Sequence, residues 1–309
     1  MTKNTGKLIS ETKTFCPGHI TGFFEKPQKK TQNNLYYGSR GSGFSLKKGI
    51  STIVKIYESS KTNYNISING SRNVDTEVST WVVNEYIKYI DNNNYFIDID
   101  HKLEIPIGFG LGTSGSAALS LSYALNDSLS LGFDRFKAAQ IAHNADIICN
   151  TGLGTVIAEF YGGFEIRKTA GGPGIGIVEK IPINNYKAII LCLNPISTQK
   201  ILNQDLDDVN YIGNQMIERI SISKNIEEFL IMSHYFSDLL KLTQGVCSES
   251  IKRLNSNGFE CAVALFGETV FTIVRNNEVD EIKRLFSDYS SVIVSDIDNN
   301  GVRILESKK

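Results

Sequence analysis

The chain has 309 residues, of which 41% are hydrophobic and 21% charged, and a formal net charge of −1. This is the composition of a globular protein with one large domain or two ordinary ones, able to bury a core without covalent staples. There is no global basic field for nucleic acid or an anionic membrane, and no apolar run of the roughly 18 residues that a membrane span needs.

In chain order, the first ten residues lack the apolar core of a signal peptide. Lys13–Cys16 reads as the end of a strand. Lys26–Lys30, beside Pro27, reads as a short solvated basic loop. Gly49–Tyr57 alternates Ile50, Thr52, Val54 and Ile56, the period of a half-buried strand. Thr76–Ile90 carries Val78, Trp81, Val82, Tyr86 and Ile90 roughly on one side and is expected to be helical. Tyr95–Ile105 is extended and closed by Pro106. Helices are expected at Ser116–Leu129 and at Asp134–Cys149, the second N-capped by Asp134. Gly171–Gly176 is a loop, and Lys187–Leu193 an apolar strand. The pattern from Ile201 to Leu254 is helical. Cys261–Phe266 and Val270–Val274 read as strands around Gly267, Val279–Phe286 as a helix and Ser291–Val294 as extended. This order predicts a mixed α+β protein in two lobes, residues 1–183 and 184–309. The five cysteines, Cys16, Cys149, Cys192, Cys247 and Cys261, are odd in number and form no CxxC pair. Reduced thiols in a cytosolic protein fit them better than a disulfide scaffold or a zinc site.

The strongest local signal runs from Pro106 to Leu119, PIGFGLGTSGSAAL. A strand enters it and a helix leaves it. Gly108, Gly110, Gly112 and Gly115 clear side chains from a backbone that must approach a ligand, and the first helical turn aims unpaired amides at bound phosphate. Thr113, Ser114 and Ser116 add hydroxyls for phosphate or a metal ion. A Walker A loop is excluded, because no Lys-Ser/Thr pair follows the last glycine, and the spacing of a dinucleotide fingerprint is also missing. A ligand-free glycine turn is the alternative.

His143, Asp146 and Asn150 share one face of the next helix, opposite its apolar side of Phe136, Ala139, Ala142, Ala145 and Cys149. Asp146 can hold Mg²⁺ through oxygen, and His143 can hydrogen-bond an acceptor. A solvated polar face is the other reading. A second glycine loop, Thr151–Thr155, precedes Tyr161–Arg167, a turn into a strand. Arg167 can grip a carboxylate through two parallel hydrogen bonds, unless it is an ordinary surface Arg.

These segments together resemble the GHMP kinases, whose three motifs have counterparts in Phe15–Phe24 (FCPGHITGFF), Pro106–Ser114 and Ala262–Phe271. Within them, PGHITGFF, GSRGSGF at Gly38–Phe44, the AHNA stretch at Ala142–Ala145, TGLG and GGFEIR are similar to the archaeal pantoate kinases. The resemblance spans about Phe15 to Phe271. It implies a ribosomal-S5-like N-terminal lobe, a ferredoxin-like C-terminal lobe, and transfer of phosphate from ATP to pantoate in coenzyme A synthesis. It further implies phosphate binding by Gly108, Gly110, Gly112, Thr113, Ser114, Gly115, Ser116 and Ala117, and Mg²⁺ at Ser114 and Asp146. Pantoate contacts are implied at Ser39, His143 and Arg167, and a homodimer is the family expectation. Two departures accompany it. Asp146 stands where the family has Glu, and Thr155, at the position of a catalytic Asp, cannot take a proton at neutral pH. Glu159, one turn on, is either a substitute for it or a solvent-facing residue. Phosphoryl transfer leans on positioning and charge neutralisation, so activity can survive. The alternatives are a GHMP kinase for another acceptor, such as mevalonate or homoserine, or a nucleotide-binding sensor with weakened catalysis.

Overall fold

The computed structural model describes residues 6–26, 32–72, 76–90, 94–196, 207–289 and 292–309. Residues 27–30 of the expected basic loop, Ile201–Leu206 of the expected helical region, and Ser291 lie outside them.

The first sheet contains β1 (Leu8–Glu25), β2 (Arg40–Glu58), β3 (Asn63–Ile68), β4 (Tyr95–Leu103), β5 (Phe164–Thr169), β6 (Ile177–Ile181) and β11 (Arg303–Lys308). Its order is β11-β1-β2-β4-β3, with β5 and then β6 added along the other half of β2. All pairs are antiparallel except β3 with β4. Along the C-terminal half of β2, Thr52, Val54 and Ile56 are buried while their neighbours are half-exposed, which follows the alternation in the sequence. Against that face pack α2 (Thr113–Ser128) and α4 (Thr155–Tyr161), and α1 (Glu77–Ile87) and α3 (Arg135–Ile148) join them in one buried cluster by packing on α2. Asp134 caps α3, accepting from the amides of Phe136 and Lys137 at 2.9 and 2.8 Å.

The second sheet, β10-β7-β9-β8, is antiparallel and is built from β7 (Tyr186–Pro195), β8 (Ala262–Val263), β9 (Gly267–Arg275) and β10 (Val292–Asp296). Between β7 and β8 run α5 (Asp207–Ser223), α6 (Ile226–Leu239) and α7 (Cys247–Asn255), and α8 (Val279–Leu285) joins β9 to β10. The order is fourth-first-third-second, that of a ferredoxin-like βαββαβ unit. Between β6 and β7 the chain leaves the first sheet for the second. It returns at the end, because β11 pairs with β1 and not with the second sheet.

β1 runs much further than the strand end expected at Cys16. Register shifts at Pro17/Gly18 and Thr21/Phe23 let it bend without ending, and the whole PGHITGFF segment lies on it. Gly18 is needed at the first shift, since a Cβ there would meet Ile105 Cδ1 at 2.6 Å and Leu111 O at 3.1 Å. A Cβ on Gly22 would come within 2.1 Å of Ser233 Oγ, so α6 of the second unit rests directly on β1. Phe23, Phe24 and Phe44 from the first sheet interlock with Phe229, Phe236 and Phe271 from the second unit in one buried aromatic cluster.

Candidate active site

The glycine loop lies where the two sheets meet. Gly108, Gly110 and Gly112 have φ of 86, 70 and 72°, a left-handed backbone that side chains resist. The loop is also tightly backed. A Cβ on Gly267 would fall 2.3 Å from the Phe109 carbonyl carbon, which explains the glycine turn of the Ala262–Phe271 segment. The amide of His19 donates to Leu111 O at 3.0 Å and ties β1 to the loop's far side.

Helix α2 begins at Thr113, a turn earlier than expected, because left-handed Gly112 serves as its N-cap. The first helical bond runs from Ser116 N to Gly112 O at 3.0 Å. The amides of Thr113, Ser114 and Gly115 therefore have no acceptor within the helix, the arrangement by which helix N-termini can take an anion. Ser116 is corrected by this geometry. Its amide is used, and its buried hydroxyl lies 2.8 Å from Pro17 O and 2.9 Å from Glu159 Oε1, so it braces the loop from within.

Glu159 itself is fully buried, which overturns the solvent-facing reading. A Cβ on Gly112 would sit 2.4 Å from its Oε1 and one on Gly115 2.7 Å from its Oε2, so the carboxyl lies directly beneath the loop. Burial, with some repulsion from Asp146, pushes its pKa well above the ordinary value. Ser116 has one proton for two acceptors, and both contacts are made at once when Glu159 is protonated and itself donates. A neutral group here removes the repulsion that an anion would exert on bound phosphate. Because the neutral form is favoured in the fold, the folded state loses stability as pH rises from 4.5 toward the raised pKa. Glu159→Gln, measured at pH 8, should melt no lower than the parent. A lower Tm would mean that Glu159 is needed as an anion.

On α3, His143 and Asp146 are both 1% exposed, while Asn150, expected on the same face, lies past the helix end with a left-handed φ of 53° and is in solvent. The solvated-face reading fails because the face packs on two loops. Asp146 lies against Gly152, whose Cβ would be 2.3 Å from Oδ2, and accepts from Thr151 Oγ1 at 2.7 Å. Desolvation lifts its pKa to about 6, opposed by that hydrogen bond. A buried carboxylate with so few partners suits a hard cation. Among the described residues no group of three or more His, Cys, Asp or Glu side chains could cage a metal. A lone carboxylate oxygen donor is of the kind Mg²⁺ takes, since that ion keeps water and phosphate oxygens in its shell.

His143 is anchored through one ring nitrogen. Its Nε2 is 3.0 Å from the carbonyls of Asn34 and Tyr37 and donates to them, and burial lowers its pKa. It anchors the short turn that leads to Ser39 and lines none of the three cavities described next.

The first cavity, about 360 Å³, is bounded by Ile50, Val78, Leu103, Ile107 and Ile196 and opens at Gly108, Thr113, Ser114 and Ala117. A second, about 50 Å³, lies over the glycine loop between His19, Thr21, Thr151 and Thr155. The third, about 20 Å³, is lined by Ser39, Gly154 and Arg167. The first two share Gly108, Thr113, Ser114 and Thr151; the last two share Thr21, Thr155 and Phe266. They form a row with a large apolar end, a phosphate-sized middle and a cationic end.

Arg167 is buried, at 1% exposure, and not a surface residue. Its Nη1 donates to Glu165 Oε1 at 2.5 Å, while His19 Nε2 lies 2.9 Å from the same oxygen. Arg167 Nε and Glu165 Oε2 are buried without a protein partner. Such orphans are costly unless a ligand completes them. His19 and Glu165 carried no assigned role in the sequence. They are 146 residues apart, and only the pairing of β2 with both β1 and β5 brings them together.

Residues 80–163 match the model for the GHMP kinases N terminal domain. The pantoate kinase of Methanocaldococcus jannaschii is 32% identical over 274 residues, covering 86% of this chain and 94% of that protein. The pantoate kinase of Thermococcus kodakarensis is 28% identical over 291 residues, covering 89% and 92%. A solved structure described as a phosphotransferase related to the CoA biosynthesis pathway superposes with a TM-score of 0.86 at 25% identity, covering 96% of this chain and 98% of that one.

Proposed function

The chain belongs to the pantoate kinases, within the GHMP kinase fold, and from that premise we propose how its residues divide the work. The reaction is transfer of the γ-phosphoryl group of ATP to a hydroxyl of pantoate, giving 4-phosphopantoate for coenzyme A synthesis. The observation that carries the assignment of roles is the row of three cavities around the glycine loop.

In this reading the apolar cavity takes the nucleoside of ATP. The amides of Thr113, Ser114 and Gly115 receive the phosphates, helped by the positive end of α2. Gly108, Gly110 and Gly112 give the triphosphate its backbone surface, with Ala117 at the mouth. Ser114 and Asp146 would hold Mg²⁺, which would supply charge neutralisation to the phosphates. Arg167 takes the pantoate carboxylate, using the Nε that has no protein partner, and Ser39 hydrogen-bonds the same molecule. His143 acts at one remove, by fixing the turn before Ser39. Thr155 sits at the junction of donor and acceptor without being able to accept a proton. The buried or half-buried free thiols suit a reducing cytoplasm, and a homodimer goes with the family. Among the described residues no helix is long and apolar enough to cross a membrane.

Turnover with equal pantoate, mevalonate and homoserine at fixed ATP tests the acceptor. Pantoate should be preferred at least tenfold in kcat/KM, and chelation of divalent cations should stop the reaction. Preference for another acceptor would overturn the substrate. ATP binding without turnover on any of the three would mark a nucleotide sensor.

A further inference from the structure

An acceptor hydroxyl must lose a proton, and the residues first expected to help with that are unsuited to it. Thr155 is no base, and His143 lines none of the three cavities. A different imidazole is aimed at the same point. His19 lies on β1 just past the Pro17/Gly18 register shift and lines the cavity over the glycine loop. With Nε2 2.9 Å from Glu165 Oε1, the ring proton belongs on Nε2 and Nδ1 presents its lone pair. Nδ1 faces Thr21 Oγ1 at 3.4 Å. That contact is long, as catalytic hydrogen bonds often are before substrate closes them. Thr21 is one of the three residues lining both the phosphate cavity and the Arg167 cavity, so its hydroxyl sits where donor and acceptor must meet.

We propose that Thr21, His19 and Glu165 form a proton relay for phosphoryl transfer, an inference that rests on the kinase reading above. The acceptor oxygen forms a bond to the γ-phosphorus. The bond from that phosphorus to the β–γ bridging oxygen breaks, and its electron pair leaves with ADP. The acceptor proton passes to Thr21 Oγ1 as Thr21's own proton passes to His19 Nδ1. The resulting imidazolium is held by the Glu165 carboxylate, and the proton returns to solvent by the same route after product leaves. The charged groups facing His19 are Glu165 and Arg167, both on β5. Burial and Arg167 disfavour the imidazolium, Glu165 favours it, and the balance keeps His19 neutral at rest, as a proton acceptor must be. The logic matches a hydroxyl–imidazole–carboxylate triad, with the hydroxyl serving as conduit and not as nucleophile.

The test is steady-state kinetics of Thr21→Val, which keeps the shape and removes the hydroxyl. A relay predicts a fall in kcat of about 10²-fold with both KM values within about threefold, the lower end of what general base catalysis contributes. Thr21→Ser should recover most of the loss. Adding Thr155→Asp to the Thr21→Val protein should regain at least tenfold, because a carboxylate at the same junction offers the proton another acceptor. His19→Asn, with folding checked by thermal melting, should lose kcat to the same extent. A Thr21→Val protein within threefold of parental kcat overturns the relay. So does equal impairment of the Val and Ser variants with raised KM, which would mean packing alone. Parental turnover of pantoate is read separately, so a wrong acceptor and a wrong relay give different results.

Discussion

Replacing Asp146 by asparagine should lower kcat about 10²–10³-fold and, at pH 8, raise the melting temperature of the nucleotide-free protein by a few degrees. Both effects come from one fact: the carboxyl is buried against Gly152 with a single side-chain hydrogen bond, from Thr151. Burial lifts its pKa from 3.8 to about 6, so ionisation works against the fold. The sign follows directly. Well below pH 3.8 Asp146 is neutral in both the folded and unfolded protein. Between about pH 4 and 6 only the unfolded chain ionises, and stability falls; above 6 the cost, on the order of 3 kcal/mol, is constant. Asparagine keeps an Oδ1 for Thr151 and removes that cost. It also removes the charge that would hold Mg²⁺, and one such electrostatic contact is worth about 10²–10³ in rate. At subsaturating Mg²⁺ the parent's activity should therefore drop as pH falls through about 6, where a proton competes with the metal for the carboxyl, and the variant's residual activity should lack that limb. Calorimetric melting and a pH–rate profile check both halves. An asparagine variant that is less stable and nearly as active would show that Asp146 is a structural residue.

Arg167→Lys should cut kcat/KM for pantoate about 10²–10³-fold while leaving ATP affinity within about threefold. Lysine still supplies a cation to the buried Glu165, so the fold is expected to survive. Removing the charge altogether would strand Glu165, at a cost of about 3–5 kcal/mol. What lysine lacks is the planar fork: one arm of the guanidinium is taken by Glu165 Oε1, and the Nε beside Gly154 is left for the substrate. Losing a buried, charge-assisted contact of this kind costs about 3–4 kcal/mol, which is that factor in kcat/KM. Titration with pantoate and with a non-hydrolysable ATP analogue separates the two ligands. Unchanged kcat/KM for pantoate would remove Arg167 from the acceptor site.

What the sequence reveals here is local. The alternation through Ile50–Ile56, the cap at Asp134 and the glycine loop are properties of adjacent residues, and each is found where its pattern indicates. β3, with the mixed sequence NYNISI, and the largely exposed β11 carry too little apolar contrast to be seen. At the site, the polarity of α3 is plain in the sequence, but whether water or protein covers that face depends on Asn34, Tyr37 and Gly152. Ser116 resembles its neighbour Ser114 until Pro17 and Glu159 are brought against it. His19 and Glu165 are silent for the same reason, since neither has a meaningful neighbour until three strands align.

The return of β11 to the first sheet has a consequence for how the molecule assembles. Glu11 pairs with Lys308 and Phe15 with Arg303, contacts that span nearly the whole polypeptide. The ferredoxin-like unit between them is largely local by comparison. As the chain leaves the ribosome, the outer edge of β1 therefore waits, unpaired, for the last strand to be made. Such distant closures are slow, and a waiting edge invites pairing with another copy. Refolding from denaturant should accordingly show the sheet edge at Glu11–Phe15 acquiring amide protection last.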